Sequence, residues 1–364
     1  MHSPRKFLFL HHGALGDFIL ALPSFESIHS KFPTAAFTLI GNTKNANLIA
    51  QRPYLKRTIS KDRGELACLF TMKIQPQTHI NAESVFSCMR VTTEHLFQPC
   101  WFTREINLDR VYSLLGGPFE KAFLFGQSNL PIVAQNLKHM GLKTVYQIRS
   151  FPYPEKPQKV TDFIYEQLFS QGLRLKREKV QIEPDPDEKK KGFEYASELK
   201  RRFRILVALH PGSGSLKNIW PIPCWKTIIR YLAGYETITQ LLLFGPADKQ
   251  VFSKLKFLQE IPNLLIIQDW PLPRLVGLLE QVSLFIGNDS GITHLAAVLG
   301  IPTVAIFGQS DPLIWAPQGP RVKVVKTAWT VPWNLENKVT CPLNDIPEEI
   351  IKVIESFANH FSYP

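Results

Sequence analysis

Residues 284–302, LFIGNDSGITHLAAVLGIP, constrain the chain more than any other stretch, because they pass from an apolar run through a polar turn into a helix of small residues. Leu284, Phe285 and Ile286 read as the end of a strand buried on both faces, Gly287 to Gly291 as a tight turn, and Ile292 to Leu299 as the helix. A further strand, Thr303–Phe307, follows Gly300 and Pro302. Such a unit belongs to an α/β protein and builds an anion site: the first-turn N–H groups lack intrahelical partners and the helix dipole adds positive potential, so a phosphate docks on Ser290 and Gly291. Asp289 repels that phosphate. It either caps the helix or accepts hydrogen bonds from a sugar or ribose hydroxyl. In an isolated motif Asp289 and Ser290 are only N-caps and His294 a core histidine.

The motif is not isolated. Residues 207–221, VALHPGSGSLKNIWP, repeat the design as a strand, a turn carrying Ser213, Gly214 and Ser215, and then Lys217. The spacing is not that of a P-loop, since Lys217 follows Leu216 and precedes Asn218. What remains is a loop whose N–H groups and one ammonium hold a diphosphate. A third unit opens the chain: a strand at Lys6–Leu10, a turn at His11–Gly16 with Gly13 and Gly16, and a helix begun by Asp17. The two glycines fall short of the G-x-G-x-x-G dinucleotide fingerprint, which speaks against NAD. At the first turn of a helix the Asp17 carboxylate is easily kept ionised. Loops at strand ends share a ligand in open α/β sheets.

Together, GALGDFILALP at 13–23, HPGSGSLKNIWP at 210–221 and GNDSGITHLAAVLGIPTVAIFGQSDPLIWAP at 287–317 resemble the family that contains the lipopolysaccharide ADP-heptose heptosyltransferases. The resemblance is strong in the C-terminal half and the first βα unit; between about Lys44 and Ile148 little aligns. It implies a GT-B fold, two Rossmann-like domains facing across a cleft, and an inverting, metal-independent transfer. On the family's pattern Asp17 is the base. Lys217, Ser213, Gly214, Ser290 and Gly291 neutralise the diphosphate, Asp289 holds the sugar or ribose, and His294 stands near the phosphates or holds the loop. Gly13 and Gly16 line the acceptor side, and Gly245 and Asp248, in FGPAD at 244–248, lie under the nucleoside. A glutamate that often contacts the ribose in this family has no clear counterpart here. His11 and His12 stand where many members carry other polar or basic residues.

A chain of 364 residues exceeds what one core supports, so two domains are expected. The boundaries are 1–172 for the acceptor domain, 173–345 for the donor domain, and 346–364 for a helix returning to the first domain. The Asp185-Pro-Asp187 motif imitates a metal-binding Asp-x-Asp, but it sits among prolines and charges before a helix at Lys189–Phe203 and not after an apolar strand. Five scattered cysteines, Cys68, Cys88, Cys100, Cys224 and Cys341, suggest neither zinc nor a disulfide framework, and free thiols fit a cytoplasmic protein. No metal or other cofactor is expected.

A net charge of +11 calls for an anionic partner. Lys56, Arg57, Lys61, Arg63, Lys73, Arg90, Arg104 and Arg110 carry no RNA-binding signature, which excludes nucleic acid. They suit an anionic, lipid-linked saccharide acceptor and a peripheral contact with the inner membrane surface. The readings in competition with a transferase are a nucleotide-sugar epimerase of the same shape and a silent nucleotide-binding homologue. An α/β-hydrolase fails because Ser290 lacks the G-x-S-x-G frame.

Overall fold

The computed structural model describes residues 5–71, 108–329 and 341–360. In the first half, β1 (Lys6–His11), β2 (Ala36–Gly41), β3 (Leu55–Ser60), β4 (Lys121–Gly126) and β5 (Thr144–Arg149) form a parallel sheet of order β3-β2-β1-β4-β5. Its helices are α1 (Leu15–Lys31), α2 (Thr43–Ala46), α3 (Ala67–Thr71), α4 (Leu108–Leu115), α5 (Leu130–His139) and α6 (Val160–Ser170). In the second half, β6 (Ile205–His210), β7 (Ile238–Phe244), β8 (Leu264–Gln268), β9 (Leu284–Asn288), β10 (Thr303–Phe307) and β11 (Val322–Lys326) run parallel in the order β11-β10-β9-β6-β7-β8. The accompanying helices are α7 (Pro186–Arg202), α8 (Ile222–Ala233), α9 (Lys249–Leu255), α10 (Leu272–Leu279), α11 (Gly291–Val298), α12 (Pro312–Trp315) and α13 (Glu348–His360).

Parallel strands covered by helices on both faces must be apolar throughout. Strand β6, ILVALH, and β9, LFIGN, are buried at every position. In the first half Phe7, Phe9, Phe37 and Phe123 stack through one face of the sheet, with Phe9 4.4 Å from Phe37 and 4.8 Å from Phe123 between ring centres. Each sheet reverses its strand order once, between β1 and β4 and between β6 and β9. Ligands of open α/β sheets bind outside the carboxyl ends of the strands at such points.

Helix α1 runs through Pro23 to Lys31, although proline cannot donate into the helix ladder. The Pro23 carbonyl instead accepts from Tyr165 Oη at 2.9 Å and Ser27 Oγ at 2.8 Å.

Three features differ from the sequence reading. Leu173, Leu175, Val180 and Ile182 pack on the first sheet's core, and Glu183 exchanges backbone hydrogen bonds with Leu48 and Gln51. Arg52 pins this crossing segment, bridging buried Glu26 at 2.6 Å and Glu183 at 2.9 Å. The second half therefore begins at α7, whose start at Pro186 precedes the expected Lys189 because Asp185 Oδ1 caps it, accepting from Glu188 N. Helix α13 does not return to the first sheet: Ile350, Ile354 and Ala358 pack into the second sheet's core with Trp225 and Ile228, and Glu355 accepts from Tyr231. Helix α12 does reach the first half: Ile314 and Trp315 join its core and Trp315 meets Phe151 edge-on at 4.9 Å. The third correction is a disulfide between Cys224 and Cys341, on α8 and just before α13, where free thiols were expected. Cys88 and Cys100 lie outside the described residues, and the side chain of Cys68 is not described.

Candidate functional site

The two halves meet at helix starts. A Cβ on Gly291, the first residue of α11, would lie 2.6 Å from Leu15 Cβ and 3.0 Å from Gly16 N. One on Gly16 would lie 3.2 Å from His294 Cδ2. Only glycine permits two helix N-termini to approach so closely. The approach sets Asp17 of α1 opposite Asp289 of the β9–α11 turn. Asp17 Oδ2 accepts from Ala14 N at 3.0 Å, so it caps its own helix. Gly13 leaves room for it, since a Cβ there would meet Asp17 Oδ2 at 2.9 Å.

Burial pushes the Asp17 carboxyl up; the Ala14 N–H opposes this, and the charge of Asp289 adds to it. This reverses the expectation of an easily ionised acid, because the helix start is buried against the other half and faces a second carboxylate. Asp289 is also raised by burial, with Lys326 acting against it.

The Gly/Ser loop after β6 is fastened to the turn after β9. Ser213 Oγ donates to Asp289 O at 2.8 Å, and Asn218 Nδ2 donates to Asp289 Oδ2 at 2.9 Å. Fully buried Asn288 donates to Pro211 O at 2.7 Å and accepts from Trp220 N at 3.2 Å. Ser290 is the N-cap of α11, its Oγ accepting from Thr293 N and lying 3.1 Å from His210 Nδ1. The start of α11 and the loop of Ser213 and Gly214 line the same cleft.

Asp248 is turned inward. Its Oδ2 lies 3.4 Å from His210 Nε2 and accepts from Gly245 N at 2.7 Å, and it fills the space under Gly212, where a Cβ would fall 2.0 Å from its Oδ1. Burial pushes its pKa up, but His210 and the Gly245 N–H outweigh that and hold it below the usual carboxylate range. Asp248 organises the loops through Oδ2 and also lines the cleft between the halves.

His294 is buried, with Nε2 4.0 Å from Asp289 Oδ1 and Nδ1 unpartnered. Burial pulls its pKa down to about 4, so it is neutral at pH 7. Between 6.5 and about 4 the unfolded chain binds a proton that the folded His294 refuses, so stability falls as pH is lowered through that window. In urea melts from about pH 7 to 5, wild type is expected to lose up to ~1.4 kcal/mol per pH unit more than His294→Gln. Parallel pH dependences for the two proteins would contradict a neutral, buried His294.

A cleft of about 590 Å³ opens between the halves at these strand ends. Ser213, Gly214, Ser290 and Gly291 line it together with Phe244, Gly245, Trp270 and Leu275, which add largely apolar surface. Lys217 and Ser215 stand outside this lining, exposed on the loop. Asp269, Trp270 and Lys44 are among the lining residues that went unnoticed in the sequence. Asp269 is exposed at the end of β8 with φ of 54°, a conformation non-glycine residues seldom adopt. Trp270 follows it, and Lys44 faces the cleft from α2. Of the basic residues of the first half, Lys61 pairs with Asp62 and Arg63 with Glu65. Lys73, Arg90 and Arg104 lie outside the described residues, and the Arg110 side chain is not described.

The model for glycosyltransferase family 9 (heptosyltransferase) matches residues 104–343. The chain belongs to this family. Lipopolysaccharide heptosyltransferase 3 of Escherichia coli is 28% identical over 117 residues, a match spanning 30% of this chain and 33% of that protein. Among solved structures, a family 9 glycosyl transferase from Veillonella parvula superposes with a TM-score of 0.70 at 16% identity, covering 98% of this chain and 97% of that one. Escherichia coli ADP-heptose LPS heptosyltransferase II gives 0.64 at 15% identity, covering 97% and 99%. Escherichia coli heptosyltransferase WaaC with ADP gives 0.57 at 14% identity, covering 96% and 99%. Family 9 membership and the two doubly wound sheets establish the GT-B fold.

Proposed function

We propose that this family 9 protein is an inverting, metal-independent glycosyltransferase that moves a heptose or related sugar from an ADP-sugar to a lipopolysaccharide core acceptor of the lipid A–Kdo type. The observation that carries the reading is Asp17 set opposite the Ser213–Gly214 and Ser290–Gly291 loops at a strand-order reversal. Asp17 takes the acceptor hydroxyl proton as that oxygen bonds to the sugar, and the loop N–H groups with Lys217 receive the charge growing on the leaving diphosphate. Asp289, held by Asn218, accepts from sugar hydroxyls, while the apolar surface of Phe244 and Trp270 takes the nucleobase. The similarity to WaaC with ADP supports adenine.

No helix among the described residues is long and apolar enough to cross a membrane. The net positive charge suits a peripheral contact with the cytoplasmic face of the inner membrane, where such an acceptor resides.

Calorimetry with ADP, UDP and GDP, in the absence of added metal, tests the donor class. Binding of ADP in preference to the others, followed by heptose transfer to a lipid A–Kdo acceptor, is the expected result. Preference for UDP or GDP would replace the donor, turnover without acceptor would make the protein an epimerase, and no nucleotide binding would leave a silent homologue.

A further inference from the structure

The donor cleft has one feature that neither of the Gly/Ser loops explains. Lys44 is the only lysine or arginine lining it among the described residues, and it comes from the half opposite to those loops. We infer that Lys44 is a donor-binding residue that meets the diphosphate from the first half, so that the phosphates are held between the two domains; this rests on the nucleotide-sugar reading.

The position of Lys44 is fixed on both sides. Asn42 Oδ1 accepts from Lys44 N at 3.0 Å, and Asn45, itself buried, donates to Gly13 O at 3.4 Å, tying α2 to the loop that carries Asp17. Four residues beyond Lys44, Leu48 is buried in the second half's core with Leu275. The segment is thus tied to the Asp17 loop, and Lys44 lines, from the Asp17 side, the same cleft as the Ser213–Gly214 and Ser290–Gly291 loops.

Charge points the same way. Asp17 and Asp289 already place two carboxylates at these loops, and a diphosphate adds more negative charge in a space closed by two domains. Lys326, the cation near Asp289, is engaged by the Gly308 and Ser310 carbonyls. His210 is committed to Asp248 and Ser290. Lys44 is exposed and makes no ion pair among the described residues, so its ammonium is available to a ligand in the cleft. A lysine suits this task as a compact point charge on a flexible stem.

The test is calorimetry on wild type, Lys44→Gln and Lys44→Arg, using the nucleoside diphosphate that wild type binds best and the matching nucleoside. Lys44→Gln is expected to weaken the diphosphate about tenfold, as loss of a charge-assisted hydrogen bond does, and to leave the nucleoside within about twofold. Lys44→Arg should keep most of the affinity. Unchanged diphosphate binding in Lys44→Gln, or equal weakening of diphosphate and nucleoside, would overturn the inference while leaving the transferase reading standing. Failure of wild type to bind any nucleoside diphosphate would overturn that reading and this inference with it.

Discussion

Asp17→Asn is expected to lower sugar transfer about a thousandfold, the scale of a lost general base, while nucleotide affinity stays within about twofold. The amide oxygen can still accept from Ala14 N, so the start of α1 and the approach of Gly16 to Gly291 survive the exchange. What disappears is the proposed acceptor of the hydroxyl proton. The pH dependence supplies a second readout. Burial raises the Asp17 carboxyl, Ala14 N–H lowers it, and Asp289 raises it again. In its proposed role as base Asp17 acts deprotonated, so kcat/KM, which reports the free enzyme, rises with pH through the Asp17 pKa, and that acid limb is shifted upward from an ordinary carboxylate. Removing the facing charge in Asp289→Asn should move that limb to lower pH, whatever it does to the maximal rate. Near-wild-type turnover in Asp17→Asn would assign the base elsewhere, and an unmoved limb would remove Asp289 from its surroundings.

The strands that carry the site were legible because buried parallel strands are apolar on both faces and because glycine and proline punctuate their ends. Residues 205–209, 284–286 and 303–307 stand within the observed strands β6, β9 and β10. Packing partners were less legible. The stripe of Ile350 and Ile354 announces that α13 is buried, but a stripe does not say against which sheet. Leu175, Val180 and Ile182 form no period, so the crossing segment read as part of the second half although it packs on the first. Cys224 and Cys341 lie 117 residues apart, and only the fold brings them together. Asp248 was legible as an acid at a strand end lining the cleft, but its contact with His210 was not, because the loop motif concealed the role of His210. Lys44 lies in the four-residue helix α2, too short to show a pattern, and only the apposition of the two halves gives it a cleft to face.

Gly277→Val is expected to have the largest effect on stability, a loss of about 3 kcal/mol in urea melts. Gly192 and Gly277 are buried in the middle of α7 and α10, where glycine costs about 1 kcal/mol relative to alanine. The cost is tolerated because the two backbones touch. A Cβ on Gly277 would lie 1.9 Å from Lys189 O, and one on Gly192 would lie 1.9 Å from Arg274 O. Neither carbonyl can swing aside as a flexible side chain would, so the helices must separate. Separation also strains the ion pairs that flank the crossing, Lys189 to Glu280 at 2.8 Å and Arg274 to Glu188 at 2.9 Å. Because α10 presents Leu275 to the cleft, nucleotide affinity should fall together with stability if the cleft holds the donor as proposed. Gly64→Ala is the control: nothing stands within 4 Å of the added carbon, and the change should stay within about 0.5 kcal/mol. Equal melting midpoints for Gly277→Val and wild type would mean that the helix pair can slide apart without loss. In that case the glycines would not set the distance between α7 and α10, and this wall of the cleft would owe its position to the ion pairs instead.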